Sequence, residues 1–193
     1  PVTTLHRGVR RIAALRNALL DAIEADEPTD YIAMFDGDLE GPISLDGVAH
    51  TMAALERDRS LSAVAAFGLN NWLGLDNSVP FVGYTYYDPL AFREHHWERK
   101  ASDPGIRWRL GSVRRGDPLI EVKSAFAGCA IYRSSAIRGL RYELHGQDCE
   151  HVGFHRALAE RGGRMAVNPA MLLLAGKQGH HESWGDSASL GRS

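Results

Sequence analysis

Two aspartates one residue apart, Asp36 and Asp38, follow the apolar run Tyr31-Ile32-Ala33-Met34-Phe35, with Gly37 between them. Carboxylate oxygens are hard donors suited to Mg²⁺ or Mn²⁺, ions that bind one or two protein carboxylates and complete their shells with substrate phosphates and water. A short continuous apolar run reads as a buried strand inside a sheet covered on both faces. Both acids are then expected at the carboxyl end of a central strand, the edge where open α/β sheets bind ligands. Gly37 lets the backbone turn closely around such a ligand. The chemistry this pattern suits is a divalent ion held against a diphosphate; the plainer alternative is a pair of turn-forming aspartates. An EF-hand register over the same residues fails, because Gly47 stands where a bidentate Glu is required and a strand precedes the loop.

Histidines offer a second chemistry. His151 and His155 stand four apart on one expected helix, as in a zinc hydrolase, but Val152 occupies the place of the required Glu and Gln147 the place of the His in the inverted motif. His95-His96 lacks a third ligand at metal spacing and reads as surface.

The elements that must position these groups follow from periodicity. Apolar residues from Val9 to Ile23 recur at a helical period, predicting a helix over Thr4–Ala25 that carries Arg16-Asn17. Ser44 is placed to cap a helix from Leu45 to Arg57. Leu61–Gly68 reads as a strand, Asn70–Asp88 as an irregular aromatic stretch and Arg93–Lys100 as a segment dense in polar groups, suited to a sugar-binding wall or equally to ordinary loop packing. Leu119–Lys123 and Ser124–Arg133 read as strands, with close backbone approach expected at Gly128. Ser134-Ser135 caps a short helix ended by Gly139, Asp148 caps a helix to Arg161, and Met165–Leu174 is the last strand. Alternation of strands and helices argues an α/β sandwich.

With 193 residues, 44% of them hydrophobic, the chain suits one globular domain, expected over residues 1–175 with a flexible Gly/Ser/His-rich tail over 176–193. A net charge of −2 gives no reason to expect nucleic acid or an anionic membrane as partner. Cys129 and Cys149 form neither a metal spacing nor a disulfide framework, and there is no signal peptide or long apolar run. The expectation is a cytoplasmic protein with no membrane span.

In order and spacing the chain resembles a nucleotide-sugar glycosyltransferase of the GT-A fold, of the DxD-containing, family-2-like kind. Four segments carry the resemblance: Arg16-Asn17 before the strand, Asp36-Gly37-Asp38 at its end, Ser124-Ala125-Phe126-Ala127-Gly128-Cys129-Ala130-Ile131-Tyr132-Arg133, and Asp148-Cys149-Glu150-His151 with Gly162-Gly163-Arg164-Met165 behind it. It spans Arg10 to about Leu174 and implies a Rossmann-type mixed sheet flanked by helices. The family's fold begins with a strand and helix that hold the nucleotide base, and no such strand precedes the Thr4–Ala25 helix. Either that unit is lacking from these residues or the nucleotide is held differently.

The resemblance implies transfer of a sugar from a nucleoside-diphosphate sugar donor to a glycan or small hydroxyl acceptor, with Mn²⁺ or Mg²⁺ on the diphosphate. Asp38 would hold the ion with help from Asp36, which also contacts ribose or sugar hydroxyls. Arg16-Asn17 would meet phosphate or nucleotide, and Gly128 would lie beside the donor sugar. His180, or its neighbour His181, would complete the metal shell as a glycine-flanked loop swings in, with Lys177 meeting the diphosphate. Family members of the inverting kind carry Glu-Asp where this chain has Glu150-His151, which leaves Glu150, His151 and Asp148 as candidate bases; Glu150 keeps the family's acid. A sugar-nucleotide nucleotidyltransferase and a non-catalytic carbohydrate-binding module with a GT-A core are the alternatives.

Overall fold

The computed structural model describes residues 4–26, 28–39, 41–76, 79–98, 103–146 and 148–177. In chain order these form α1 (Thr4–Ala25), β1 (Tyr31–Phe35), α2 (Leu45–Arg57), β2 (Leu61–Asp76), β3 (Val79–Tyr86), α3 (Pro104–Ser112), β4 (Ile120–Val122), β5 (Cys129–Arg133), α4 (Ser134–Ile137), α5 (Glu150–Glu160) and β6 (Arg164–Lys177). The strands make a six-stranded sheet in the order β1-β5-β2-β6-β4, with β3 also paired to β2. Only the β2–β6 pair is parallel; the other pairings are antiparallel. The protein is thus a mixed α/β structure whose open sheet is mostly antiparallel and flanked by helices. None of its described helices is long and apolar enough to cross a membrane.

β2 is the strand covered on both faces. Its residues Ala63 to Phe67 are all buried, and their side chains alternate between two cores. Val64 and Ala66 pack with Leu55 of α2, Ile131 and Met171; Ala63, Ala65 and Phe67 pack with Leu20 of α1, Phe154 and Leu158 of α5, and Ile106 of α3.

Several expectations are corrected here. β1 spans the predicted residues but is an edge of the described sheet, not its centre: Met34 is buried, whereas Ala33 and Phe35 are exposed. Its apolar run carries the signature of a two-sided strand although its outer edge has no described partner. The stretch Asn70–Asp88 is a hairpin, with register from Leu69↔Tyr86 to Asp76↔Val79. Its glycines, asparagines and Pro80 read as breakers, while the β-branched and aromatic residues between them favour the strand that forms. Ser124–Arg133 is a strand only from Cys129, because Ala127 and Gly128 both have positive φ, 54° and 80°, which no ladder accommodates. Helix α3 was not anticipated, though Asp103 at its N-cap position and Pro104 at its first turn are start signals. In the polar Arg93–Lys100 segment, Arg93 and Glu94 are buried; Arg93 is fully enclosed and its backbone forms a β-bridge with Ser124.

The long last strand bends at Asn168-Pro169, where its register against β2 jumps from Ala66↔Asn168 to Phe67↔Leu172. Proline cannot donate to a ladder, so the strand bulges there. Buried Asn168 fastens the bulge to α2, donating to Thr51 Oγ1 at 2.8 Å and accepting from the Ala170 amide at 2.9 Å. Ser44, expected as a side-chain cap of α2, does this work too: its hydroxyl donates to the Ala170 carbonyl and accepts from the Leu172 amide, both at 2.9 Å.

Candidate active site

Where β1 ends, three segments remote in sequence converge. Asp36 leaves the strand with its amide bonded to the Gly128 carbonyl at 2.9 Å, so the turn before β5 sets its backbone. α1 presents Arg16 from its buried stripe, which also includes Ala13 and Leu20. α5 presents Glu150 from its first turn. Arg16 joins the two acids: its Nη2 lies 2.6 Å from Asp36 Oδ1 and its Nε 3.3 Å from Glu150 Oε1. The guanidinium is seated over the rings of Phe126 and Tyr142, with its central carbon 4.8 and 5.7 Å from their centroids.

Burial governs the electrostatics. It raises the Asp36 and Glu150 carboxyls above their ordinary range, and Arg16 only partly opposes it. Tyr142, beside Arg16 and Glu150, is likewise pushed up by burial, and so is Tyr87, whose hydroxyl also feels the charges of Asp36, Asp88 and Asp38. Asp38 is exposed. The arrangement therefore has an inner layer of enclosed, arginine-bridged acids and an outer carboxylate in water.

The structure brings Arg16, Asp36, Gly128 and Glu150 together. Asn17 faces elsewhere: its carboxamide makes both of its bonds to the Tyr142 backbone, donating at 3.1 Å and accepting at 2.7 Å, and so fastens α1 to the segment that carries the Tyr142 ring. Asp148 does not cap α5, whose N-cap position is held by Cys149; its carboxylate accepts from the enclosed Arg93 at 2.6 Å. A buried cation needs a counter-charge more than a helix needs a side-chain cap. His151 lies under the site, stacked on Phe126 at 3.7 Å between centroids, with neither ring nitrogen hydrogen-bonded and Nε2 3.5 Å from Glu150 Oε1. Burial, with Arg16 and His155 nearby, keeps it neutral far below the usual histidine range. Lys177 ends β6 opposite Asn71, and its side chain, like His180 and His181, lies outside the described residues.

His155 belongs to the core. Its Nδ1 meets Ser124 Oγ and its Nε2 meets Tyr132 Oη, each at 2.8 Å, and burial lowers its pKa to about 3. With both nitrogens engaged it has no lone pair for zinc. Among the described residues no group of three or more His, Cys, Asp or Glu side chains converges to hold a metal. That excludes a closed protein cage among them. The donor set that is present, Asp36 with the exposed Asp38, fits an ion that takes its remaining ligands from a diphosphate and water.

Sequence reasoning missed Asp88 and Tyr142, while Tyr87 lay in the aromatic stretch read as suited to a sugar-binding wall. The only local sign was Asp88-Pro89, an aspartate before proline at the end of an aromatic run, which marks a turn. What the fold and site define is an α/β protein with an acidic, arginine-bridged cluster where β1 ends. Compared with known proteins, the chain matches no family model, and no curated protein proves similar to it.

Proposed function

We propose that this cluster binds a nucleoside diphosphate through a divalent ion, and that the protein is a metal-dependent glycosyltransferase of GT-A type acting on a nucleoside-diphosphate sugar. The observation that carries the reading is the convergence of Asp36 and Glu150 on Arg16 across 20 and 134 residues of sequence. An acid beside the metal position, an acid from the opposite helix and a cation between them are the parts that sugar transfer from a diphosphate requires.

When bound, the ion supplies charge neutralisation for the departing diphosphate. Asp38, in water, and Asp36, at the strand end, would hold it. Arg16, which shares the Asp36 carboxylate, would turn to the diphosphate if Asp36 held the ion, its guanidinium being a bidentate donor for phosphate. Glu150, raised by burial, is the carboxylate that would take the proton of an acceptor hydroxyl. The outer edge of β1, which no described strand pairs, also supports the reading: there a further strand of GT-A type could pair and hold the nucleotide base.

Thermal-shift and calorimetric titrations with UDP, GDP and ADP, each with and without Mn²⁺, test the proposal, since a ligand of the folded state raises its apparent stability. Binding that requires the ion and is lost in Asp38→Ala supports it. Absence of nucleotide binding with every pair would overturn it. Donor hydrolysis in the presence of Mn²⁺ separates a transferase from a carbohydrate-binding module on the same core.

A further inference from the structure

Two non-glycine residues among those described have left-handed backbone, Asp88 with φ 63° and Ala127 with φ 54°. A side chain with a β-carbon adopts that region at a cost, least for Asp and Asn. The two are bonded to each other. The Ala127 amide donates to Asp88 Oδ2 at 3.3 Å, and Asp88 Oδ1 accepts from the Ala91 amide at 3.2 Å. Gly128 follows at φ 80°, and its carbonyl accepts the Asp36 amide at 2.9 Å. One line of contacts therefore runs from the Asp88 carboxylate through the 127–128 turn to the backbone of Asp36. β2 closes the space beneath: a β-carbon on Gly68 would stand 2.9 Å from the Ala127 carbonyl oxygen and 3.1 Å from Tyr87 Cβ.

Backbone strain of this kind persists only where the surroundings over-determine it. The charge environment of Asp88 is equally costly. Its carboxylate accepts from the two amides, and the charges near it are those of Asp36 at the end of β1 and Glu150 on α5, with the Tyr86, Tyr87 and Cys149 side chains also close enough to feel it. Burial holds its carboxyl up at about 7; the two amides oppose this, and Asp36 and Glu150 add to it. A buried carboxylate with like charges nearby is a costly choice here, and what it supplies that asparagine and glycine do not is an acceptor for each of the two amides.

We propose that Asp88 is a positioning residue of the site: it holds the Ala127–Gly128 turn in its left-handed form, and the turn fixes the backbone of Asp36 and thereby the direction in which that carboxylate meets a ligand. The consequence for binding rests on the diphosphate reading above; the geometry does not.

The test compares wild type, Asp88→Asn, Ala127→Gly and the double variant by amide hydrogen exchange and by calorimetry with Mn²⁺ and UDP. In Asp88→Asn the side-chain oxygen keeps the Ala91 amide, while its NH₂ faces the Ala127 N–H donor to donor. The expected result is a melting temperature close to wild type, exchange at the Ala127 and Asp36 amides faster by roughly tenfold with β2–β5 amides unchanged, and Mn²⁺–UDP affinity lower by about tenfold. Glycine adopts the turn without an anchor, so adding Ala127→Gly is expected to recover part of both losses, an interaction that independent structural damage would not produce. Should Asp88→Asn not fold, Asp88→Gly, which relieves the strain, gives the same comparison. Wild-type exchange at Asp36 in the folded Asp88 variant, or additive losses in the double variant, would overturn the proposal. If wild type itself binds no Mn²⁺–UDP, the diphosphate reading fails and the exchange data alone decide the role of Asp88.

Discussion

Arg16 is the residue whose removal exposes the logic of the site. In Arg16→Met the apolar stem and its contact with the Phe126 and Tyr142 rings are largely kept, while the charge between Asp36 and Glu150 is lost. Stranding a buried partner costs ~3–5 kcal/mol. Because the Asp36 side chain is 22% exposed and water screens part of its charge, the lower end, about 3 kcal/mol, is the working figure. For a domain of this size that lowers the melting temperature by about 6–12 °C. The loss depends on pH, and its sign follows from the carboxyls. Both have folded pKa values raised above their unfolded ones, so ionising them in the folded protein opposes folding, and stability falls as pH rises from the unfolded value through the folded one. Without Arg16 they rise further and take up protons sooner as pH falls. The deficit of Arg16→Met is therefore largest at neutral and higher pH, where both acids are ionised, and shrinks as the pH falls into the range where they take up protons and no longer need the cation. Adding Glu150→Gln is expected to recover part of the loss at the higher pH. Melting curves of wild type, single and double variants in both pH ranges measure this. An equal deficit in both would show that Arg16 acts through packing and would refute the charge argument.

Other outcomes follow from the same geometry. Asp38→Ala should abolish Mn²⁺-dependent nucleotide binding in calorimetry, whereas His155→Ala leaves binding near wild type but lowers stability by ~1–3 kcal/mol, because the Ser124 and Tyr132 hydroxyls lose their shared partner; the reverse pattern would bring back a histidine metal site. Glu150→Gln should retain donor binding while transfer falls by roughly 10²-fold or more, and near-normal transfer there with loss in His151→Ala would move the proton acceptor to the histidine.

The parts of the fold legible in the sequence are those set by local periodicity. The α1 and α2 spans match their apolar patterns residue for residue, and β1 begins and ends with its apolar run. Position within the sheet was not legible, because an apolar strand reads the same whether its second edge is paired or free. The β2–β3 hairpin was hidden by its own composition: glycine and asparagine inside strands imitate a loop until the partner strand is known. The Ser124–Arg133 segment failed in the opposite way. Small apolar residues there suggest a continuous ladder, yet two consecutive left-handed residues interrupt it, and Ala127 shows no sign of this because its conformation is imposed from Asp88, 39 residues earlier.

The site divides along the same line. Asp36 and Asp38 could be found because a strand end and two carboxylates lie within a few residues of each other. Arg16 could be found, but its partner could not. An arginine on an amphipathic helix reads equally as a solvated base or a phosphate ligand, and only the packing of α1 against α5 turns it toward Glu150. Asp148 shows how this competition is decided. A local cap and a distant buried cation both offer it a hydrogen bond, but the cap, exposed to water, is worth about 1 kcal/mol, whereas an unpaired enclosed Arg93 costs several. The distant partner wins, the cap position passes to Cys149, and Glu150 starts the helix as the acid that reaches Arg16. The carboxylate that meets Arg16 is thus selected by a second arginine, Arg93, enclosed elsewhere in the fold.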